Sequence, residues 1–258
     1  ADVCGMTRAL ICDPRMPTKT SSGHAEDVRA CIACNQACIG HFHKGLPISC
    51  IQHPETGREL QFGQLQPALR GKRIMVVGGG PAGMKAAAVA AQRGHEVTLY
   101  EASAQLGGQV LLAQLLPRRS EFGGASTNLQ REMELAGVRV LRITRVDRGL
   151  VKREQPDRVI IATGAEPYWP AFERGGELQV VDAWQVLRDE TPLGRSVVVV
   201  DWRCDWIGPG IAERLTRAGH QVQLAVNGTH CGENLPLYVR DQLAGELHRL
   251  GIPIIPYA

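Results

Sequence analysis

Apolar positions come in short runs separated by glycine turns, and the runs predict an alternation of strands and helices. Arg73-Ile-Met-Val-Val77 predicts a buried strand that stops at Gly78-Gly-Gly80-Pro-Ala-Gly83. Residues 84–93 are alanine-rich and predict a helix ending at Gly94, and Glu96-Val-Thr-Leu-Tyr100 predicts a second strand closed by Glu101. Residues 132–137 read as the end of another helix, the alternating run 138–146 as a half-buried strand, and Val159-Ile-Ile-Ala-Thr-Gly164 as an apolar strand closing in a small-residue turn. Pro167 and Pro170 mark a boundary. Past it the pattern recurs, with a strand over 196–200, a helix over 211–218, a strand over 219–226 and a last strand in 251–258. This alternation predicts an α/β fold with parallel sheets and crossover helices.

The first 70 residues follow another logic. Residues 1–14 read as the end of a strand, a turn at 5–8 and an outgoing loop. A lone strand cannot bury itself, so the expectation is that this piece continues from a larger upstream domain. Residues 22–30 read as a short helical lead into Cys31, and residues 50–71, with Pro54, Gly57 and Pro67, as a surface connector. Between them stand Cys31, Cys34, Cys38 and Cys50, four of eight cysteines. Thiolates separated by two and three intervening residues converge from a tight loop, and a distant fourth closes the site, the pattern of a [4Fe-4S] cluster. Structural zinc more often takes two close pairs and stands second; a disulfide framework stands third, since such bunching in a sizeable α/β protein reads as metal-binding or redox. Cys4, Cys12, Cys204 and Cys231 read as buried small hydrophobes. His41 and His43 read as solvated loop residues before cluster-tuning ones.

The glycines carry a second chemistry. Gly78 permits the tight turn, Gly80 lets backbone approach a pyrophosphate, Gly83 lets helix and strand pack closely, and Glu101 is placed to accept a ribose hydroxyl. FAD and NAD share this fingerprint. The second unit carries a damaged copy: counting back from Gly219-His220 as from Gly94-His95 sets Arg203 opposite Gly78, Asp205 opposite Gly80 and Gly208 opposite Gly83, with Val226 where the acid would be. A carboxylate at the closest pyrophosphate approach repels it, so NAD(P)H binding is expected to be weak or absent; the competing reading is a rebuilt loop in which Arg203 holds a phosphate. Trp202 and Trp206 are expected to fill the vacated space.

Composition narrows the partners. A net charge of +3 over 258 residues, 44% hydrophobic and 21% charged, implies neither nucleic acid nor an anionic membrane, and no apolar run approaches the roughly 20 residues of a membrane span. No opening stretch reads as a secretory leader, so the expectation is a cytoplasmic protein.

Leu106-Gly107-Gly108-Gln109 and the strand closing at Gly164 resemble motifs of two-dinucleotide flavoprotein disulfide reductase folds, which favours FAD at the first fingerprint. The cysteine spacing, the preceding Met-Thr-Arg-Ala-Leu-Ile-Cys-Asp-Pro and the following Val-Val-Gly-Gly-Gly-Pro-Ala-Gly together resemble the iron-sulfur flavoenzymes of the 2,4-dienoyl-CoA reductase and trimethylamine dehydrogenase group, relatives of old yellow enzyme. The likeness covers essentially the whole chain as an internal slice. It implies that residues 1–25 end an FMN-binding TIM barrel, 26–70 hold the cluster, 71–170 form an FAD-type Rossmann-like domain, and 171–258 form an incomplete, degenerate NAD-type one. It also implies that Arg8 and Ala9 hold the FMN phosphate, that Cys31, Cys34, Cys38 and Cys50 ligate the cluster, and that Glu101, Gln109, Arg119 and Val146 contact FAD, with Gly108 and Gly164 in their motifs. ADP is the alternative occupant, at a vestigial second nucleotide site. The substrate-binding barrel is expected in cis or as a separate subunit, and no catalytic acid or base falls within this stretch. Loss of the second glycine loop resembles the amine dehydrogenases, which pass electrons to a protein acceptor, more than the NADPH-dependent reductases.

Overall fold

A computed structural model describes residues 2–171, 175–176 and 178–258. It divides into two compact units, residues 1–111 with 121–164, and residues 112–120 with 165–258. The division falls at Gly164, and the short stretch 112–120, within the expected FAD-type domain, belongs to the second unit.

The first unit opens with short helices α1 (Arg8–Cys12), α2 (Met16–Ser21), α3 (Ile39–His43) and α4 (Glu59–Phe62). The expected strand ahead of Arg8 is absent among the described residues: 2–6 carry no regular structure, and the expected turn runs into α1. A strand needs a hydrogen-bonding neighbour, and none lies alongside these exposed residues. Cys4, expected to be buried beside that strand, is exposed for the same reason. The expected helical lead is reduced to a single 3-10 turn, Ala25–Asp27.

The dinucleotide fold follows as β1 (Arg73–Val77), α5 (Pro81–Gln92), β2 (Glu96–Tyr100), α6 (Val110–Ala113), α7 (Gly123–Leu135), β3 (Arg139–Leu141), α8 (Arg148–Glu154) and β4 (Arg158–Ile161). Its four strands are parallel in the order β3-β2-β1-β4, with β1 pairing β2 from Arg73 against Glu96 to Val77 against Tyr100. Ile74, Val76, Val97 and Leu99 pack against Met84, Ala87 and Ala88 of α5 and Met133 of α7. The alanines let α5 lie close on the sheet, and burial of this face holds the unit together. The strand expected over 138–146 ends at Leu141. Ile143 takes φ 53°, its N–H and that of Thr144 donate to Ser103 O and Glu101 O, and the backbone bends around the end of β2.

The second unit contains α9 (Ala183–Leu187), β5 (Ser196–Asp201), α10 (Ile207–Arg217), β6 (Gln221–Val226), α11 (Leu237–Arg249) and β7 (Ile254–Ile255). Its sheet is parallel in the order β5-β6-β7. Leu112 and Leu116 join Ile211, Leu215, Val222 and Leu224 in its core, which explains why residues 112–120 belong here. Glu213, almost fully buried, is satisfied by Arg118 at 2.7 Å and Arg217 at 3.0 Å, so the same stretch is also tied by charge.

Candidate functional site: a cysteine cavity and a glycine cradle

The four clustered cysteines share one cavity. Cys31, Cys34, Cys38 and Cys50 line about 320 Å³ of empty space, counting what is open to solvent, together with Arg8, Asn35 and the apolar Ile11, Ile32 and Ile51. Left-handed backbone at Ala33 (φ 51°) and Asn35 (φ 57°) coils the loop between these thiols, a conformation that costs a non-glycine residue about 1–2 kcal/mol and needs support from its surroundings. That support comes from Gly40 N–H donating to Asn35 O at 3.0 Å and Ser49 N–H to Ala37 O at 2.7 Å. Arg8 donates from Nη1 to Asn35 Oδ1 at 2.7 Å, which places the arginine expected at an FMN phosphate beside the cysteines, with Ala9 next along α1. His41 is hydrogen-bonded to Pro47 O at 2.9 Å, and neither it nor His43 lines the cavity.

All eight cysteines are unpaired in the structure. Among the described residues the cysteine sulfurs form no triad within 4.8 Å; only His24, Glu26 and Asp27 do so. Tetrahedral zinc at about 2.3 Å from each sulfur demands separations of about 3.8 Å. A cubane gives each of four cysteines its own iron and so asks for wider sulfur separations than zinc does. Burial, with the charges of Cys38, Cys50 and Cys31, pushes the Cys34 thiol up to about 11, while a hydrogen bond from Cys12 brings Cys50 down to about 6 and raises Cys12 itself. Thiolates crowded in a partly buried pocket need a cationic centre to be stable together.

The glycine fingerprint forms a second site at the carboxyl end of β1. Gly78 has φ 108° and a Cβ there would collide with Ala162 O; a Cβ on Gly83 would collide with Gly78 O. Gly80 caps α5, and its side faces open space, with Gly108 Cα 4.0 Å from where a Cβ would stand. Gly164 lies near the Gln109 amide at 3.6 Å from its Cβ position, so Gly80, Gly108, Gln109 and Gly164 converge on a cradle lacking β-carbons on three sides. Glu101 closes it: Oε2 accepts from Gly79 N–H at 2.6 Å and Oε1 from Ser103 N–H at 2.7 Å. Burial would raise its pKa, but these amides outweigh that and hold the carboxyl below its ordinary value. An ionised acceptor at the end of β2, beside the free N–H groups of the α5 N-terminus, is the set a ribose and a pyrophosphate require.

Two further residues are expected at FAD. Val146 packs with Met75, Tyr100 and Leu150 in a small core cluster. Arg119 belongs to the second unit, with its guanidinium 5.1 Å from the ring centre of Trp206.

The second glycine loop is rebuilt, with a register other than the one expected. Arg73 pairs with Glu96 and Ser196 with Gln221, each two residues past a Gly-His landmark, so Asp201, and not Arg203, stands where Gly78 does. Gly208 keeps the place of Gly83, and the loop between is two residues longer. Asp201 is 5% exposed. Its Oδ1 accepts from Arg203 N–H at 3.0 Å and Cys204 N–H at 3.1 Å, and its Oδ2 has no partner. Burial, then the nearby Asp205 charge, pushes its carboxyl up to about 6. Arg203 donates from Nε to Asp205 Oδ2 at 2.9 Å, its guanidinium held by this chain's own acid.

Against known proteins, the profile of the pyridine nucleotide-disulphide oxidoreductase family matches residues 72–257. The chain belongs to that family and carries nucleotide-binding folds of a flavin oxidoreductase. It is 39% identical to a metal reductase of Desulforamulus reducens over 204 residues, covering 78% of this chain and 30% of the relative. It is 38% identical to an N,N-dimethylglycine/sarcosine dehydrogenase of Chromohalobacter salexigens over 238 residues, covering 88% and 34%. Among solved structures, a 2-naphthoyl-CoA reductase complex superposes with a TM-score of 0.91 at 29% identity, covering 99% of this chain and 39% of that one. The chain thus spans about a third of the length of the curated relatives it matches. No helix among the described residues is long and apolar enough to cross a membrane.

Proposed function

We propose that this chain is the electron-transfer part of an iron-sulfur flavoenzyme, in which Cys31, Cys34, Cys38 and Cys50 hold a [4Fe-4S] cluster and the first glycine cradle holds FAD. The observation that carries the reading is the meeting of four free cysteines in one cavity, in the same unit as the first glycine cradle. A [4Fe-4S] cluster supplies one-electron transfer. Arg8, beside Asn35 at the cavity, is the residue proposed to grip an FMN phosphate from an upstream barrel, present in cis or as a separate subunit. The residues of this chain bind, orient and insulate; the substrate pocket belongs to the barrel.

Within that class the reading leans to an amine dehydrogenase or demethylase that delivers electrons to a protein acceptor in the cytoplasm. Asp201 at the strand end and Arg203 committed to Asp205 argue against NAD(P)H as the donor at the second unit; ADP in place of FAD, at a vestigial nucleotide site, is the alternative occupant. A second reading, an NAD(P)H-dependent enoate reductase, is favoured by the reductases among the relatives, one of them named for cinnamate.

Anaerobic reconstitution of the full-length natural protein tests the first reading. It is expected to bring ~4 irons and as many labile sulfides per chain. Cys31→Ala, Cys34→Ala or Cys38→Ala should each abolish uptake. One zinc per chain, or no metal, overturns the assignment. Flavin bleached by NADPH but by no amine selects the reductase.

A further inference from the structure

The cysteines at the two ends of the loop are far apart in sequence, and two side-chain amides account for their meeting. Asn128 on α7 pairs with the peptide of Ala30 in both directions: Ala30 N–H donates to Oδ1 at 3.3 Å, and Nδ2 donates to Ala30 O at 2.9 Å. Nδ2 also donates to Gln52 Oε1 at 2.7 Å. Gln52 Nε2 in turn donates to the same Ala30 O at 3.0 Å and to the Cys12 sulfur at 3.3 Å. Every N–H and carbonyl oxygen of the two amides is thereby engaged, and reversing either amide would set donor against donor or oxygen against oxygen. The bonds close sequence separations of 98, 76 and 40 residues. Ala30 immediately precedes Cys31, Gln52 follows Cys50 by two, and buried Ile32 packs where a Cβ on Gly124 of α7 would come within 3.2 Å.

We propose that Asn128 and Gln52 form an amide clamp that fixes both ends of the cysteine loop on α7, so that folding of the dinucleotide domain sets the geometry in which the cluster is assembled. They are positioning residues. The link to the cluster rests on the function proposed above; the clamp itself does not.

The test uses the full-length protein, metal-free and reduced under anaerobic conditions, then reconstituted. Asn128→Ala is expected to speed hydrogen exchange at the Ala30 amide and alkylation of Cys31 and Cys50 by iodoacetamide roughly tenfold, with buried Cys231 of the other unit unchanged. Asn128→Asp keeps the acceptor for Ala30 N–H and should keep that amide slow while the thiols speed up. Gln52→Leu, which leaves α7 untouched, should reproduce the faster alkylation. In the reconstituted protein, Asn128→Ala is expected to lose iron to a chelator roughly 10–100-fold more readily. Unchanged exchange and alkylation in both Asn128→Ala and Gln52→Leu overturn the clamp. Faster alkylation with unchanged iron retention overturns its part in cluster assembly. A wild-type protein that takes up no iron overturns the cluster reading, and the exchange and alkylation arms still decide the clamp.

Discussion

Two carboxylates stand at strand ends, Glu101 just past β2 and Asp201 at the close of β5, and their surroundings give them opposite roles. Glu101 has one N–H donor on each oxygen, and its ionised form is favoured. Its contribution to stability is present above its unfolded pKa and lost as pH falls through its lower folded one. Glu101→Gln keeps an acceptor for one amide but turns an –NH2 towards the other, so nucleotide affinity is expected to fall roughly tenfold, measured by calorimetric titration with FAD. Asp201, at the end of β5, gathers both its donors on Oδ1 and leaves Oδ2 bare, with its folded pKa raised from 3.8 to about 6. For an acid shifted upward the sign reverses: its contribution is complete below the ordinary pKa and disappears as pH rises through about 6. Between pH 4 and 7 the wild type should lose about 2 kcal/mol more stability than Asp201→Asn, as read by urea unfolding at each pH. Parallel stability curves for the two proteins would refute this.

At the scale of elements, the glycines separate folding from binding. A methyl at Gly83 meets the Gly78 carbonyl where helix and strand have no slack, so Gly83→Ala should destabilise the first unit by about 2–3 kcal/mol. A methyl at Gly80 points into the open cradle, so Gly80→Ala should leave the melting temperature nearly unchanged while weakening FAD binding at least tenfold. Equal losses of stability in the two variants would contradict the cradle. These roles were legible because the strand, glycine and acid spacing is dictated by backbone geometry that leaves few alternatives. What was not legible depended on events between landmarks. The matching Gly-His pairs fix the helix-to-strand side of each unit but hide a two-residue insertion ahead of the helix, so Asp201 was passed over for Arg203. The alternation of 138–146 predicts a full strand, and no glycine, proline or asparagine announces the left-handed Ile143 that bends it. Nor did composition mark Asn128 or Gln52: an amide is informative only once its partners are known.

At the scale of the whole chain, the division into two units decides how a metal would act on stability. The cysteine loop, α1 and the first dinucleotide fold belong to one unit, while the other has its own core around α10 and its own buried ion pairs on Glu213. Metal binding stabilises only the unit whose folding creates the site. The four tryptophans of these 258 residues, Trp169, Trp184, Trp202 and Trp206, all fall in the second unit, so within this chain tryptophan fluorescence reports on that unit. Chelating iron from the reconstituted chain should therefore leave the fluorescence-detected urea midpoint in place. Over the same titration, hydrogen exchange in β1 and β2 should show the first unit opening at distinctly lower urea. A fluorescence midpoint that moves together with the exchange transition would mean that the two units unfold as one. The cluster would then be bracing both nucleotide folds, and the second could no longer be treated as an independent body with a vestigial site.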